Sequence, residues 1–218
     1  MSSKAESWAR LRNAAWIGKV DPKKRDPSCV LQALEDGYGD YIYDEYSVII
    51  SSMPPNLTAE AYLLQFSKDP NAAVDRGLFN FINAFTKRSN STPAIGDIYD
   101  IDIIGPDNGS IILVDLSPAF GARAGDSWFD IQTIECKKYG THPENGAREF
   151  GFEYVKDGVM FYTRGVSRGH FLGAQLAGGA FQNLGWTGMM KGISESIRKR
   201  GGQPKESSFK VEKLKKSA

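Results

Sequence analysis

The chain has 218 residues, 41% of them hydrophobic and 24% charged, and a net charge of +1. That length sets one domain, or one domain with an extension, large enough to bury a real core, and the composition excludes a disordered or fibrous chain. The small net charge excludes the global field of a nucleic-acid binder, so no specific nucleic-acid partner is expected. No apolar run approaches the roughly 20 residues that span a bilayer.

In chain order, residues 4–18 are predicted as a short helix with Trp8, Leu11 and Ala15 on one side. This N-terminus lacks the apolar core and cleavage site of a signal peptide, so the expectation is a cytoplasmic protein, with signal-independent secretion left open. The DPKKRDPS segment breaks the helix, because two prolines interrupt any continuation. Cys29 to Leu34 is read as a further helical turn and GYGDYIYDEY as a tyrosine-rich loop or edge. Residues 1–44 therefore read as a helical extension to the main domain.

From Tyr46 the pattern changes. YSVIISSM reads as a strand, since Val48, Ile49 and Ile50 are β-branched. Pro54-Pro55 ends it, and Asn56 or Thr58 caps a helix carrying Leu57, Ala61 and Leu64. Asp69-Pro70-Asn71 opens a second helix, predicted to run through Lys87 with Val74, Leu78, Phe81, Ile82 and Phe85 on its apolar face.

Strands follow near 97–104, 110–117, 128–138, 148–155 and 158–166. Asp107-Asn108-Gly109 and Asp157-Gly158 are hairpin signals, because these residues tolerate the positive φ of tight turns. Phe150, Phe152 and Tyr154 alternate with Glu149 and Glu153, as in a sheet with one buried side. A last helix is predicted from about Gly179 or Asn183 to Lys199, stopped by Gly201-Gly202. The end of the chain, 201–218, reads as a flexible basic tail. The only cysteines, Cys29 and Cys136, lie outside any CxxC spacing. Zinc held by cysteine pairs is excluded, and a disulfide scaffold is not expected at this size.

The order of strand, two helices, strand meander and last helix resembles the helix-grip fold of the START/Bet v 1-like superfamily. YSVIISSMPPNLTAEAYLLQFSKDP resembles that superfamily's first strand, proline-bearing turn and first helix. IGDIYDIDIIGPDNGSIILVDLSP, with GTHPENGAREFGF and FYTRGVSR, is similar to an uncharacterised START-like family of bacteria and plants. The resemblance covers about residues 45–200. It implies an α+β domain in which a curved antiparallel sheet of about six strands packs on the C-terminal helix, behind the N-terminal helical extension. It also implies a binder of a hydrophobic or amphipathic small molecule in a sheet–helix cavity.

Three clusters are candidates for chemistry. His142 and Glu144, with Arg148 and Glu149, have the types needed for general base or proton transfer, but Thr141–Gly146 also reads as a plain turn. Arg164, Arg168 and His170 sit at a strand end, where they could converge on an anion or serve as edge charges. Arg164 shares a face with Tyr162, and if that face lined a cavity its guanidinium would anchor a polar head. Asp100, Asp102 and Asp115 read chiefly as a solvated outer face rather than a cation site.

Gly165-Val166-Ser167-Arg168-Gly169 satisfies GxSxG, but hairpins surround it instead of the parallel sheet a hydrolase elbow needs. The glycines at 185, 188 and 192 make the last helix either closely packed or able to open as a lid. The expected ligand-binding residues are Arg164, Tyr162, Phe152, Tyr154 and Trp186. The candidate catalytic residues are His142, Glu144 and His170, with enzymatic activity left open and no cofactor or metal expected. Two alternatives stand beside the binder: a hydrolase or transferase centred on His142, of the kind found among bacterial effectors, and an interaction module using residues 38–46 and the basic tail on a protein partner.

Overall fold

The computed structural model describes residues 4–13, 26–75, 84–102, 108–118, 120–121, 126–171 and 174–218, with side chains in the last helix from 183 onward. One curved antiparallel sheet is built from β1 (Val30–Leu31), β2 (Tyr38–Ser52), β3 (Ala84–Lys87), β4 (Ile98–Asp102), β5 (Gly109–Leu116), β6 (Ser127–Glu135), β7 (Glu144–Val155), β8 (Gly158–Gly169) and β9 (Gln203–Lys216). Its order is β3-β4-β5-β6-β7-β8-β2-β9, and β1 pairs with the end of β6 beyond the last β6–β7 pair. The helices are α1 (Lys4–Asn13), α2 (Ala59–Lys68), α3 (Pro70–Ala73) and α4 (Ala174–Lys199). The fold is α+β, with the C-terminal helix α4 held against the sheet in a helix-grip arrangement.

Strand alternation sorts the side chains between two faces. On the inner face Tyr46, Val48, Phe150, Phe152 and Phe161 pack against α2 and α4, which contribute Tyr62, Phe66, Met190 and Ile193. Burying each such side chain stabilises the fold by about 1.5–3 kcal/mol. α2 begins where Thr58 Oγ1 accepts a hydrogen bond from Ala61 N, and α3 where the Asp69 side chain accepts from Ala72 N with Pro70 following. The hairpin signal at Asp157-Gly158 joins β7 to β8, and Gly158 there has φ +134°.

Several expectations need correction. The helix expected through Lys87 stops at Ala73, and Ala84–Lys87 is β3, with Phe85 in the inner core. Leu78, Phe81, Ile82 and Ile103 lie outside the described residues. Cys29–Leu34 is not helical: it holds β1, and a single 3-10 turn follows at Leu34–Asp36. The tyrosine-rich segment is the first half of β2, paired with both β8 and β9. The basic tail is β9, an edge strand on β2, rather than a flexible end. α4 starts upstream of Gly179.

The outer face is not solvated either. Residues 4–13 and 26–36 lie across it as a strap, burying Leu11, Cys29 and Leu34 against Tyr41, Tyr43, Ile112, Val114, Ile134 and Val166. No disulfide is expected from the sequence, but Cys29 and Cys136 form one that ties this strap to the end of β6. Among the described residues no helix is long and apolar enough to cross a membrane.

Candidate functional site

Two charged residues stand at positions of the inner, apolar parity. Arg148 lies on β7 with Phe150 and Phe152, and Asp44 lies on β2 with Tyr46 and Val48. Both are buried, and Arg148 Nη2 donates to Asp44 Oδ1 at 2.6 Å. Arg148 Nη1 donates to Thr163 Oγ1 at 3.2 Å, and its guanidinium lies 4.1 Å from the Trp186 ring centre. A hydrogen-bonded, aromatic-stacked pair is the form in which charge can be kept in an interior. Gly165, opposite Arg148 on β8, leaves the room: a Cβ there would collide with the guanidinium and come within 3.0 Å of Asp44 Oδ1.

Beside this pair is a cavity of about 60 Å³, lined on its apolar side by Ile101, Ile111, Ile131 and Trp186. Its polar lining is Thr133, His142, Glu144, Arg148 and Ser167. The Trp186 indole Nε1–H is buried and has no hydrogen-bond partner among the described residues. Tyr46 Oη donates to Asn183 Oδ1 at 3.1 Å, and burial, followed by nearby Asp44, raises the Tyr46 pKa.

His142 lies against Gly109, and its Nδ1 is 3.1 Å from Glu144 N, which donates to it. Burial, with His170 adding to it, lowers the His142 pKa to about 4, so the ring is neutral near pH 7. The turn that carries it is held by the strap. Gln32 Oε1 accepts from His142 N at 2.6 Å, Gln32 Nε2 donates to His142 O and Asn145 Oδ1, and Asn145 Nδ2 donates to Ala33 O.

Of the residues singled out in the sequence, the structure brings His142, Glu144 and Trp186 together at the cavity and places Phe152 in the adjoining apolar core. His170 sits outside it, its Nδ1 2.9 Å from Asn145 Oδ1. Tyr154 is half exposed at the sheet margin and donates to Glu60 Oε1 at 2.8 Å.

Arg164 and Tyr162 point to the other side of the sheet, beneath α1. There Arg164 Nε meets Glu45 Oε2 at 2.5 Å and Arg164 Nη1 meets Glu153 Oε1 at 2.8 Å. Tyr162 Oη donates to Glu149 Oε1 at 2.7 Å, Ser7 Oγ also donates to Glu149, and Arg10 of α1 pairs with Asp130 and Glu149. Burial works against the Arg164 charge, but Tyr162, Glu45 and Glu153 outweigh it and raise the pKa. Arg164 thus binds the strap to the sheet rather than a ligand in the cavity.

Arg168, Arg164 and His170 do not converge. Arg168 donates to Gly39 O at the start of β2 and to Glu35 O in the strap. Asp100 is buried under Arg88, Ser110 and Lys138, whose hydrogen bonds overcome the effect of burial and lower its pKa. The GxSxG segment is continuous β8 strand, with no elbow. Reading the sequence missed Asp44 and Thr163; the available signal was a carboxylate on the same parity as Tyr46, Val48 and Ile50.

The sequence matches no family model and no curated protein. Solved structures with a similar chain path include a hypothetical protein from Helicobacter pylori (TM-score 0.49, 8% identity, covering 72% of this chain and 86% of that one). Another is the di-domain ARO/CYC StfQ from the steffimycin biosynthetic pathway (TM-score 0.46, 13% identity, 77% of this chain and 53% of that one). A third is an uncharacterised protein from Rhizobium leguminosarum (TM-score 0.42, 9% identity, 72% of this chain and 97% of that one).

Proposed function

We propose that the protein binds a small hydrophobic or amphipathic molecule between the sheet and α4, with the apolar part against the isoleucines and the polar part at Arg148 and Trp186. The observation that carries this reading is a cavity lined by a buried arginine and by Trp186, whose buried indole N–H has no partner among the described residues. Buried donors are nearly always satisfied, so a lone one at a cavity favours an acceptor supplied from outside.

The cavity volume of about 60 Å³ is well below the ~150 Å³ that accepts benzene in an engineered apolar site. A larger ligand therefore requires α4 to shift. That helix contains Gly185, Gly188 and Gly192, each of which lowers its intrinsic stability by about 1 kcal/mol relative to alanine.

Catalysis has less support. One nitrogen of His142 is occupied by the Glu144 backbone, and Ser167 lies within a regular strand instead of on a strained turn.

Native mass spectrometry of the purified protein, followed by organic extraction, tests the binding reading. A discrete stoichiometric small molecule is expected. A clean apo mass, combined with no thermal shift from any member of a panel of small apolar and amphipathic molecules, would reject it.

A further inference from the structure

We infer that the cavity selects a neutral molecule bearing a hydrogen-bond-accepting oxygen, such as a ketone, and rejects carboxylates. This rests on the reading of the cavity as a ligand site. A buried arginine suggests an anion site at first sight, but the charges around this one say otherwise. On β2, Asp44 already neutralises Arg148 at 2.6 Å. On β7, Glu144 adds a second buried carboxyl group to the cavity wall.

His142, on the turn before β7, is neutral near pH 7 and adds no positive charge. From β8 come only hydroxyl groups, Thr163 and Ser167. From α4 come Trp186 and Asn183, both uncharged. From β9 comes Lys213, opposite Asp44 in the strand register but exposed, with Nζ 5.9 Å from the Tyr46 ring centre.

A carboxylate entering this space would face Glu144, and an Arg148 already matched by Asp44 behind it, with no unmatched cation among the described residues on the wall. Burying a charge without a partner is strongly unfavourable. A neutral carbonyl meets the opposite situation. Trp186 Nε1–H is a donor only, is buried and has no acceptor among the described residues. A carbonyl oxygen supplies that acceptor without adding charge, while its hydrocarbon body takes the face made by Ile101, Ile111 and Ile131.

The test uses three probes of similar size: cyclopentanone, cyclopentane and cyclopentanecarboxylate. Each is titrated into the full chain while the indole N–H resonances are followed by ¹H–¹⁵N NMR, with Trp186 assigned through Trp186→Phe. Cyclopentanone is expected to shift the Trp186 signal and to bind at least tenfold more tightly than either of the other two. In Trp186→Phe its advantage over cyclopentane should disappear. In Asp44→Asn, with the fold checked by spectral dispersion, Arg148 loses its counter-charge and the carboxylate should gain at least tenfold.

Carboxylate binding as tight as ketone binding in the unmodified protein would overturn the inference and leave the cavity as a ligand site. Equal binding of ketone and cyclopentane would overturn it in the same way. Binding of none of the three, with no co-purified molecule, would overturn the ligand-site reading and this inference with it.

Discussion

On β7, Phe150 and Glu149 are neighbours in sequence and belong to different physical worlds. Phe150 stacks on Phe129 and meets Trp186 in an interior made of aromatic and aliphatic groups. Glu149, on the opposite face, is equally buried but surrounded by Ser7, Arg10, Tyr162 and Arg164. The inner face is held by dispersion and the hydrophobic effect, and it keeps a small space with an unsatisfied donor. The outer face is closed by a ten-residue helix whose buried residues are Ser7 and Leu11, so its docking depends on ion pairs. The lesson is that one sheet can fasten its own chain through polar contacts on one face and build an apolar core on the other.

The contrast can be tested by separating stability from binding. The largest effect is expected from Cys29→Ser with Cys136→Ser, which opens a loop of 107 residues. A loss of about 4–5 kcal/mol in urea melts should follow, with cyclopentanone affinity changed little. If affinity collapses as well, the two faces are coupled through Gln32 and the His142 turn.

Next, Arg164→Ala leaves Glu45 and Glu153 without their partner in a buried setting and should cost about 3–5 kcal/mol, again without affecting the cavity. A loss below about 1 kcal/mol would mean that the outer network contributes little to holding the strap.

Acid should act through the inner face. The unfolded chain takes up the His142 proton near pH 6.5 and the folded chain only near 4. Between these values the unfolded state binds more protons, so stability falls as the pH drops, by roughly 3 kcal/mol in total. Chemical denaturation across that window should show the fall, and His142→Asn should flatten it. An unchanged slope would place the titration elsewhere.

Smallest of all, Ile131→Val should cost about 1 kcal/mol, yet enlarge the cavity and tighten cyclopentanone binding. An outer-face change with the same profile would erase the distinction between the faces.

How much of this was legible depends on where each strand sits. Phe150, Phe152 and Phe161 declared their strands because only one face of each was apolar in sequence. β2 hid its first half because Tyr41 and Tyr43 are buried on the outer face while Asp44 and Tyr46 are buried on the inner. With both faces covered, no polar alternation remains.

β9 hid for the opposite reason: most of its side chains on both faces are exposed, so KVEKLKK reads as a loose tail. The faces themselves could not be told apart from sequence, which is why Arg164 was aimed at the cavity. Deciding between them required knowing that residues 4–13 and 26–36 lie behind the sheet. The Arg148–Asp44 pair spans 104 residues, and pairing at that distance leaves no local signature.

The position of β9 has a consequence for self-association. It is a terminal strand of the sheet, paired with β2 on one side and, among the described residues, with no strand on its other. An open edge fourteen residues long is a template on which another chain can add a strand. Lys205, Lys210, Lys213, Lys215 and Lys216 are spread along it, so two such edges brought together would repel each other. Neutralising these lysines, by substitution or acetylation, would convert a guarded margin into an adhesive one.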